Sequence, residues 1–355
     1  MTRTVSAAGP TLAVVAREAG VSVPTASKVV NGREDVAPET RRRVTEVLDR
    51  LGYVRRPRAG AAPPPGRVDL VVRALGSSRT GAVLRGVEEA AYAAGLDVVV
   101  SADRHPQRGC LDRPAARGSA GVLFDVGELT ASQHAWLARR GVPYVLIDPS
   151  GNPPPGTVSV GAADRRGTVA AIGHLVALGH ERIALLMPGR PVPRGAGCLP
   201  VGYRAALAAA GLPERPEYVR VCGSDGQGGR TAGPGKARRL TLELLDLPEP
   251  PTAVLVGSDA LALGVYEALA ERGVRAPGGL SVVGFGDLPE ARWAVPELTT
   301  VRRPLREMAA TALRLLVRMA AGEEPVTDRT ELPAPLIVRA STAPPPRDRR
   351  AAACG

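Results

Sequence analysis

Ser22, Thr25, Ser27, Lys28 and Asn31 place three hydroxyls, an ammonium and a carboxamide within ten residues, with Thr11 just upstream. Such groups donate to phosphate oxygens and base edges without making or breaking a bond. Val23 and Pro24 sit among them and can offer only apolar contact. A second set is acidic: Asp164, Asp259 and Asp287 each lie near the end of a short apolar run. A helix cap at a strand-to-helix turn is the plain alternative to a binding role for each carboxylate. Enzyme chemistry is not expected, because G-x-S-x-G, G-x-x-x-x-G-K-[ST] and H-E-x-x-H do not occur. His174 and His180 stand six apart, wrong for a zinc pair on one helix face. His105 and His134 are isolated, and the glycines of Gly226 to Gly229 lack the dinucleotide-fingerprint spacing. No metal and no cofactor is therefore expected.

The polar set needs a helix pair to present it. Leu12, Val15, Ala16 and Ala19 recur at the spacing of one helix face, Gly20 ends that helix in the left-handed conformation, and Val21 packs back onto it. Ser22 caps the next helix, with Pro24 in its first turn. Asn31 and Gly32 make a turn. Pro38 to Leu51 then forms a third helix with Val44, Val47, Leu48 and Leu51 on one face and Arg41, Arg42, Arg43 and Arg50 on the outer faces, closed by Gly52. Three such helices can share one small core, although an ordinary helical hairpin would also explain the first two.

At 355 residues the chain suits a small module plus one or two α/β domains. Its 46 basic and 35 acidic residues give a net charge of +11, which favours a polyanionic partner. Aromatic residues make up only 3%, which argues against base stacking on aromatic platforms. Cys110, Cys198, Cys222 and Cys354 are scattered without a C-x-x-C pair, so a reducing cytoplasm is expected. No apolar run reaches the roughly 18 residues that span a bilayer, and no signal-peptide core opens the chain. The expectation is a cytoplasmic, nucleoid-associated protein with no membrane partner.

Along the chain, residues 1–10 read as a disordered N-terminus, 11–58 as the helical head and 59–66, AGAAPPPG, as a Pro-rich hinge or linker. Residues 67–343 alternate short apolar strands with helices, and 344–355 form a polar tail. The first cycle covers strands at 67–72, 96–102, 121–126 and 143–148 with helices at 81–94 and 129–140. A second begins with TVSVGAAD at 157–164 and ends with LSVVGFG at 280–286. An extended stretch at 298–304, a helix at 305–321 and one last strand at 331–341 follow. The fold class is α/β: an N-terminal three-helix helix-turn-helix head plus two doubly wound lobes, whose cleft at the carboxyl ends of the strands suits a small ligand.

The run T-L-x-x-V-A-x-x-A-G-V-S-x-x-T-x-S-x-V-x-N-G from Thr11, followed by V-x-x-x-T-R-x-x-V and L-G-Y, resembles the DNA-binding headpiece of lac-repressor-like (LacI/GalR) transcription regulators. GHERIA, PTAVLVGSDALALGVYEAL, LSVVGFGDLPEA, PELTTVRRPL and ELPAPLIVRAST resemble the effector-binding core of the same family, which is also similar to periplasmic sugar-binding proteins. The resemblance implies a repressor that binds a double-stranded DNA operator as a homodimer and is modulated by a small-molecule effector, by default an inducing sugar, held between the lobes. Thr11, Ser22, Val23, Pro24, Thr25, Ser27, Lys28, Asn31, Tyr53, Arg55, Arg56 and Arg58 are then the expected DNA contacts. Asp259 matches the family's acidic effector ligand, Asp287 keeps one of a usual Asp pair, and Asp164 stands where Asn is common. Arg194 completes the expected effector set, because Leu199 falls where relatives place a ligand-anchoring Arg.

Further departures sharpen these expectations. Lys28 replaces the usual Arg, Val14 replaces an Asp that opens the first helix, and Ala37 replaces a Ser/Thr cap before Pro38. Relatives insert a Leu wedge into the minor groove, a position that falls near Ala62 here, so weak or absent kinking is expected, with Arg55, Arg56 and Arg58 acting electrostatically instead. The cleft is expected to show altered sugar chemistry, a cationic ligand, or no tight ligand. Two other functions remain open: an effector-independent DNA-binding regulator, and a cytoplasmic small-molecule binding module whose head serves another partner.

Overall fold

The computed structural model describes residues 11–30, 36–51, 66–103, 118–189, 198–223 and 233–346. The chain divides into two compact units, residues 1–64 and 65–355. In the first, α1 (Leu12–Glu18), α2 (Val23–Val30) and α3 (Pro38–Leu51) close on a core of Val15, Ala16, Ala19, Ala26, Val29, Val36, Val44 and Val47. Gly20 takes φ +61°, which lets its own N–H reach Arg17 O and the Val21 N–H reach Ala16 O. Those two bonds satisfy carbonyls that the end of α1 would leave open.

The second unit runs β1 (Arg67–Val72), α4 (Ser78–Ala93), β2 (Asp97–Ala102), β3 (Val122–Asp125), α5 (Ala131–Arg140), β4 (Tyr144–Ile147), β5 (Ser159–Ala162), α6 (Asp164–Ala177), β6 (Ile183–Pro188), α7 (Cys198–Ala209), β7 (Val219–Cys222), α8 (Pro234–Leu245), β8 (Ala253–Val256), α9 (Asp259–Glu271), β9 (Ser281–Gly286), α10 (Pro289–Trp293), β10 (Thr299–Arg302), α11 (Leu305–Ala320), β11 (Arg329–Leu332) and β12 (Leu336–Ile337). One sheet has the order β11-β5-β4-β3-β1-β2 and the other β12-β10-β9-β8-β6-β7. Every pairing is parallel except that of β10 with β12. The central strands β3 (VLFD) and β8 (AVLV) are near-continuous apolar runs, as burial on both faces demands. Strand order reverses between β1 and β3 in one sheet and between β6 and β8 in the other. Crevices open at the carboxyl ends of such points. No helix among the described residues is long and apolar enough to cross a membrane.

Three expectations need correction. Residues 157–164 do not start the second sheet: β5 pairs with β4 in the first, and the chain crosses over only at Ala163 to Asp164. The stretch expected as one last strand is two, β11 beside β5 and β12 beside β10. Pro333 and Pro335 lie between them, and a residue without an N–H cannot continue a ladder. Helix α4 begins three residues before the expected Gly81, because Ser77 caps it by accepting the Thr80 N–H at 3.1 Å. Chain crossings at Ala163, Arg303 and Pro333 to Pro335 thus join the lobes, and α11 returns to pack on α4 and β4 of the first. That return is close: a Cβ on Gly86 would lie 2.1 Å from Arg306 O.

Candidate functional site

In the head, α2 divides into two sides. Ala26 and Val29 are buried against α1 and α3, whereas Ser22, Val23, Pro24 and Lys28 are exposed and Thr25 and Ser27 half-buried. Ser22 Oγ accepts the Thr25 N–H at 3.3 Å and lies 2.8 Å from Thr25 Oγ1. Thr11 precedes α1 with its hydroxyl outside any cap bond, while its carbonyl accepts from Val14 and Val15. On α3, Arg42 and Arg43 are exposed. Arg50 pairs with Glu18 at 3.3 Å and ties α3 to α1, an exposed contact worth under about 1 kcal/mol. Asn31, Tyr53, Arg55, Arg56, Arg58 and Ala62 lie outside the described residues, as do the hinge before Gly66 and the tail from residue 347.

The carboxyl ends of the strands hold a chain of charges. Arg79, in the first turn of α4, donates to Asp125 at the end of β3 (2.6 Å) and pairs with Asp148 just after β4 (3.0 Å). Arg303, at the crossing after β10, donates to the same Asp148 and grips both oxygens of Asp164 at 3.0 and 2.9 Å. Asp148 takes φ +56°, a left-handed conformation that Asp tolerates better than most residues. Burial works against the Asp148 charge, but Arg303 and Arg79 outweigh it and hold its pKa at about 2. Burial raises Asp125 against the pull of Arg79, and raises Asp164, which has Arg303 beside it and the Asp148 charge nearby. The Arg303 guanidinium is stabilised in return by Asp148 and Asp164, which overcome the cost of its own burial.

The expected effector carboxylates are not gathered around an open space. Asp164 is engaged by Arg303 as just described. Asp259 is fully buried at the start of α9, where Ser258 is the cap. Its Oδ1 accepts from Thr300 at 2.6 Å and its Oδ2 accepts the Leu288 N–H at 2.8 Å. Burial pushes its pKa up to about 6, moderated by those two bonds. Gly284 and Gly286 make room for it, since a Cβ at either would come within 2.4 and 2.9 Å of a carboxylate oxygen. Asp287, at φ +56°, accepts from Arg302 at 2.6 Å and from Arg339. With Arg303 it borders an open groove of about 460 Å³, walled also by Ala82, Leu288, Pro304 and Arg306. Leu199 lies in the first turn of α7 against Gly257, and Arg194 is outside the described residues.

Arg79, Asp125, Asp148 and Arg303 escaped the sequence reading. Asp125, Asp148 and Arg303 are charges at or just beyond a strand's end, as in VLFD and VLID, and that placement was the available signal, whereas Arg79 lies in the first turn of a helix and carried none. The described histidines have ordinary partners: His134 meets Tyr144 at 2.8 Å, His174 meets Thr342 at 2.9 Å, and His180 is buried between Thr252, Ser281 and the Ala343 carbonyl.

Known proteins resemble this chain in sequence and fold. Residues 11–56 match the family model for bacterial regulatory proteins, lacI family, and residues 172–342 match that for a periplasmic binding protein-like domain. Catabolite control protein A of Priestia megaterium is 30% identical across 92% of this chain and 98% of its own length. A solved complex of the transcriptional regulator CelR with cellobiose aligns at a TM-score of 0.65 and 29% identity, covering 94% of this chain and 99% of that one. The lac repressor dimer bound to operator and the anti-inducer ONPF aligns at 0.66 and 26%, covering 95% and 100%.

Proposed function

Since this chain belongs to the lacI family of bacterial transcription regulators, we propose that it is a repressor that binds a near-palindromic operator as a homodimer. The observation that carries the reading is the outward face of α2, where Ser22, Val23, Pro24 and Lys28 stand exposed while the other side is fixed by the head's core. A helix so held can enter a major groove with its N-terminal end toward base edges, and two-fold symmetric heads match two-fold symmetric half-sites. We assign Thr11, Thr25, Ser27, Asn31, Tyr53, Arg55, Arg56 and Arg58 to the same interface, residues 11–58 to the head, 59–66 to the hinge and 67–343 to the effector and dimerisation core. Acting on the genome places it at the nucleoid, as a binding protein rather than an enzyme. Enrichment of duplexes from a randomised pool by the full-length protein tests this. A symmetric site is expected, and failure to enrich any sequence defeats the reading.

The core is the proposed receiver of a small-molecule effector, a sugar by the likeness to the cellobiose complex, with Asp164, Arg194, Asp259 and Asp287 in or beneath its cleft. A ligand that favours one lobe arrangement shifts operator affinity by its differential affinity for the two arrangements. The charge chain supports a second reading, an effector-independent regulator, because Arg79 and Arg303 already satisfy Asp125, Asp148 and Asp164. Operator titrations across a panel of neutral mono- and disaccharides separate them: a shift by one sugar supports the first reading, and a flat response supports the second.

A further inference from the structure

We propose that the head reads the 5-methyl group of thymine through Val23, with Pro24 beside it, so that methyl contact sets base preference at the first turn of α2. This rests on the DNA-binding reading above and names what the face recognises. At about 3.6 residues per turn, Val23 and Ser27 stack on one line and Pro24 and Lys28 on the next, opposite the buried Ala26 and Val29. Val23 is 45% exposed, against 8% for Val29 of the same helix. The first turn has little polar readout to give. Pro24 lacks an N–H, and the N–H and hydroxyl of Thr25 both engage Ser22 Oγ. What remains outward at that turn is a branched aliphatic side chain and a pyrrolidine ring.

Among the base edges of the major groove, the one apolar group is the thymine methyl. Covering a methyl with the Val23 side chain removes apolar surface of both from water, worth about fourfold in affinity for each such contact. Two symmetric heads give roughly tenfold or more. Lys28, a turn further on, supplies charge without the planar fork that fixes a guanine.

The experiment uses the full-length protein and the duplex it enriches from a randomised pool. The duplex is remade with deoxyuridine in place of thymidine at one symmetric pair of positions at a time, and Kd is read by fluorescence anisotropy at fixed salt. One or two symmetric pairs should weaken binding about tenfold on loss of the methyl. Val23→Ala should lose a similar factor on the thymine duplex and then be indifferent to deoxyuridine, with an unchanged melting temperature because Val23 is outside the core. Val23→Thr, which keeps the branched shape, should retain part of the methyl response. The proposal is overturned if every position is flat within about twofold, or if Val23→Ala stays as methyl-sensitive as the parent. Enrichment of no sequence would defeat the regulator reading itself, a failure distinct from enrichment with a flat methyl response.

Discussion

Arg303 is one hub of the core's electrostatics: its single guanidinium serves Asp148 and Asp164 while only 13% of it is exposed. Removing one partner from a buried ion cluster leaves charge without compensation, which typically costs 3–5 kcal/mol. Arg303→Met should therefore lower unfolding free energy by about that amount in urea titrations, and a loss under about 1 kcal/mol would show the cluster to be solvated. Asp148 gives a pH signature of its own. Its folded pKa lies at about 2 against an ordinary 3.8, so its ionisation stabilises the fold above pH 3.8, and that contribution is lost as pH falls through about 2. The contribution is on the order of 2 kcal/mol. Urea titrations at pH 5 and pH 2.5 should show a steeper loss for the parent than for Asp148→Asn. Neither residue stood out in the sequence, since the partners of Arg303 are 139 and 155 positions away.

At the scale of elements, two contacts set how the chain folds around its sites. Helices α4 and α11 approach at Gly86, where an added methyl would sit 2.1 Å from the Arg306 carbonyl. Backbone cannot yield as a flexible side chain does, so Gly86→Ala should cost about 3 kcal/mol, the upper end of overpacking effects, measurable as a drop in urea midpoint. In the head, Ser22→Ala removes the oxygen that caps α2 and should cost on the order of 1 kcal/mol, seen in thermal melts as destabilisation of the head. The cap was legible locally, from Ser22 ahead of Val23 and Pro24. The close approach at Gly86 was not, because its partner Arg306 lies 220 residues later, on a helix reached only after the chain has crossed between lobes twice.

For the whole molecule, phosphate neutralisation predicts a steep loss of operator affinity with salt, close to one counterion released per phosphate contact. Arg42 and Arg43 are exposed on the head, and Arg42→Ala or Arg43→Ala should each reduce the log–log salt slope by about 1 where the guanidinium meets a phosphate. An unchanged slope would take both off the backbone. The sequence by itself determined the elements whose causes are local: the three-helix head, the capped start of α2 and the alternation that makes two largely parallel sheets, all set by residues within a turn or two of each other. Only the tertiary structure decided that β5 and β11 belong to the first sheet, that Asp259 is buried with both oxygens engaged, and that Arg79 and Arg303 close a chain through Asp125, Asp148 and Asp164. Those outcomes depend on strand order and on crossings between lobes, and these bring distant residues together in ways that no spacing along the chain encodes.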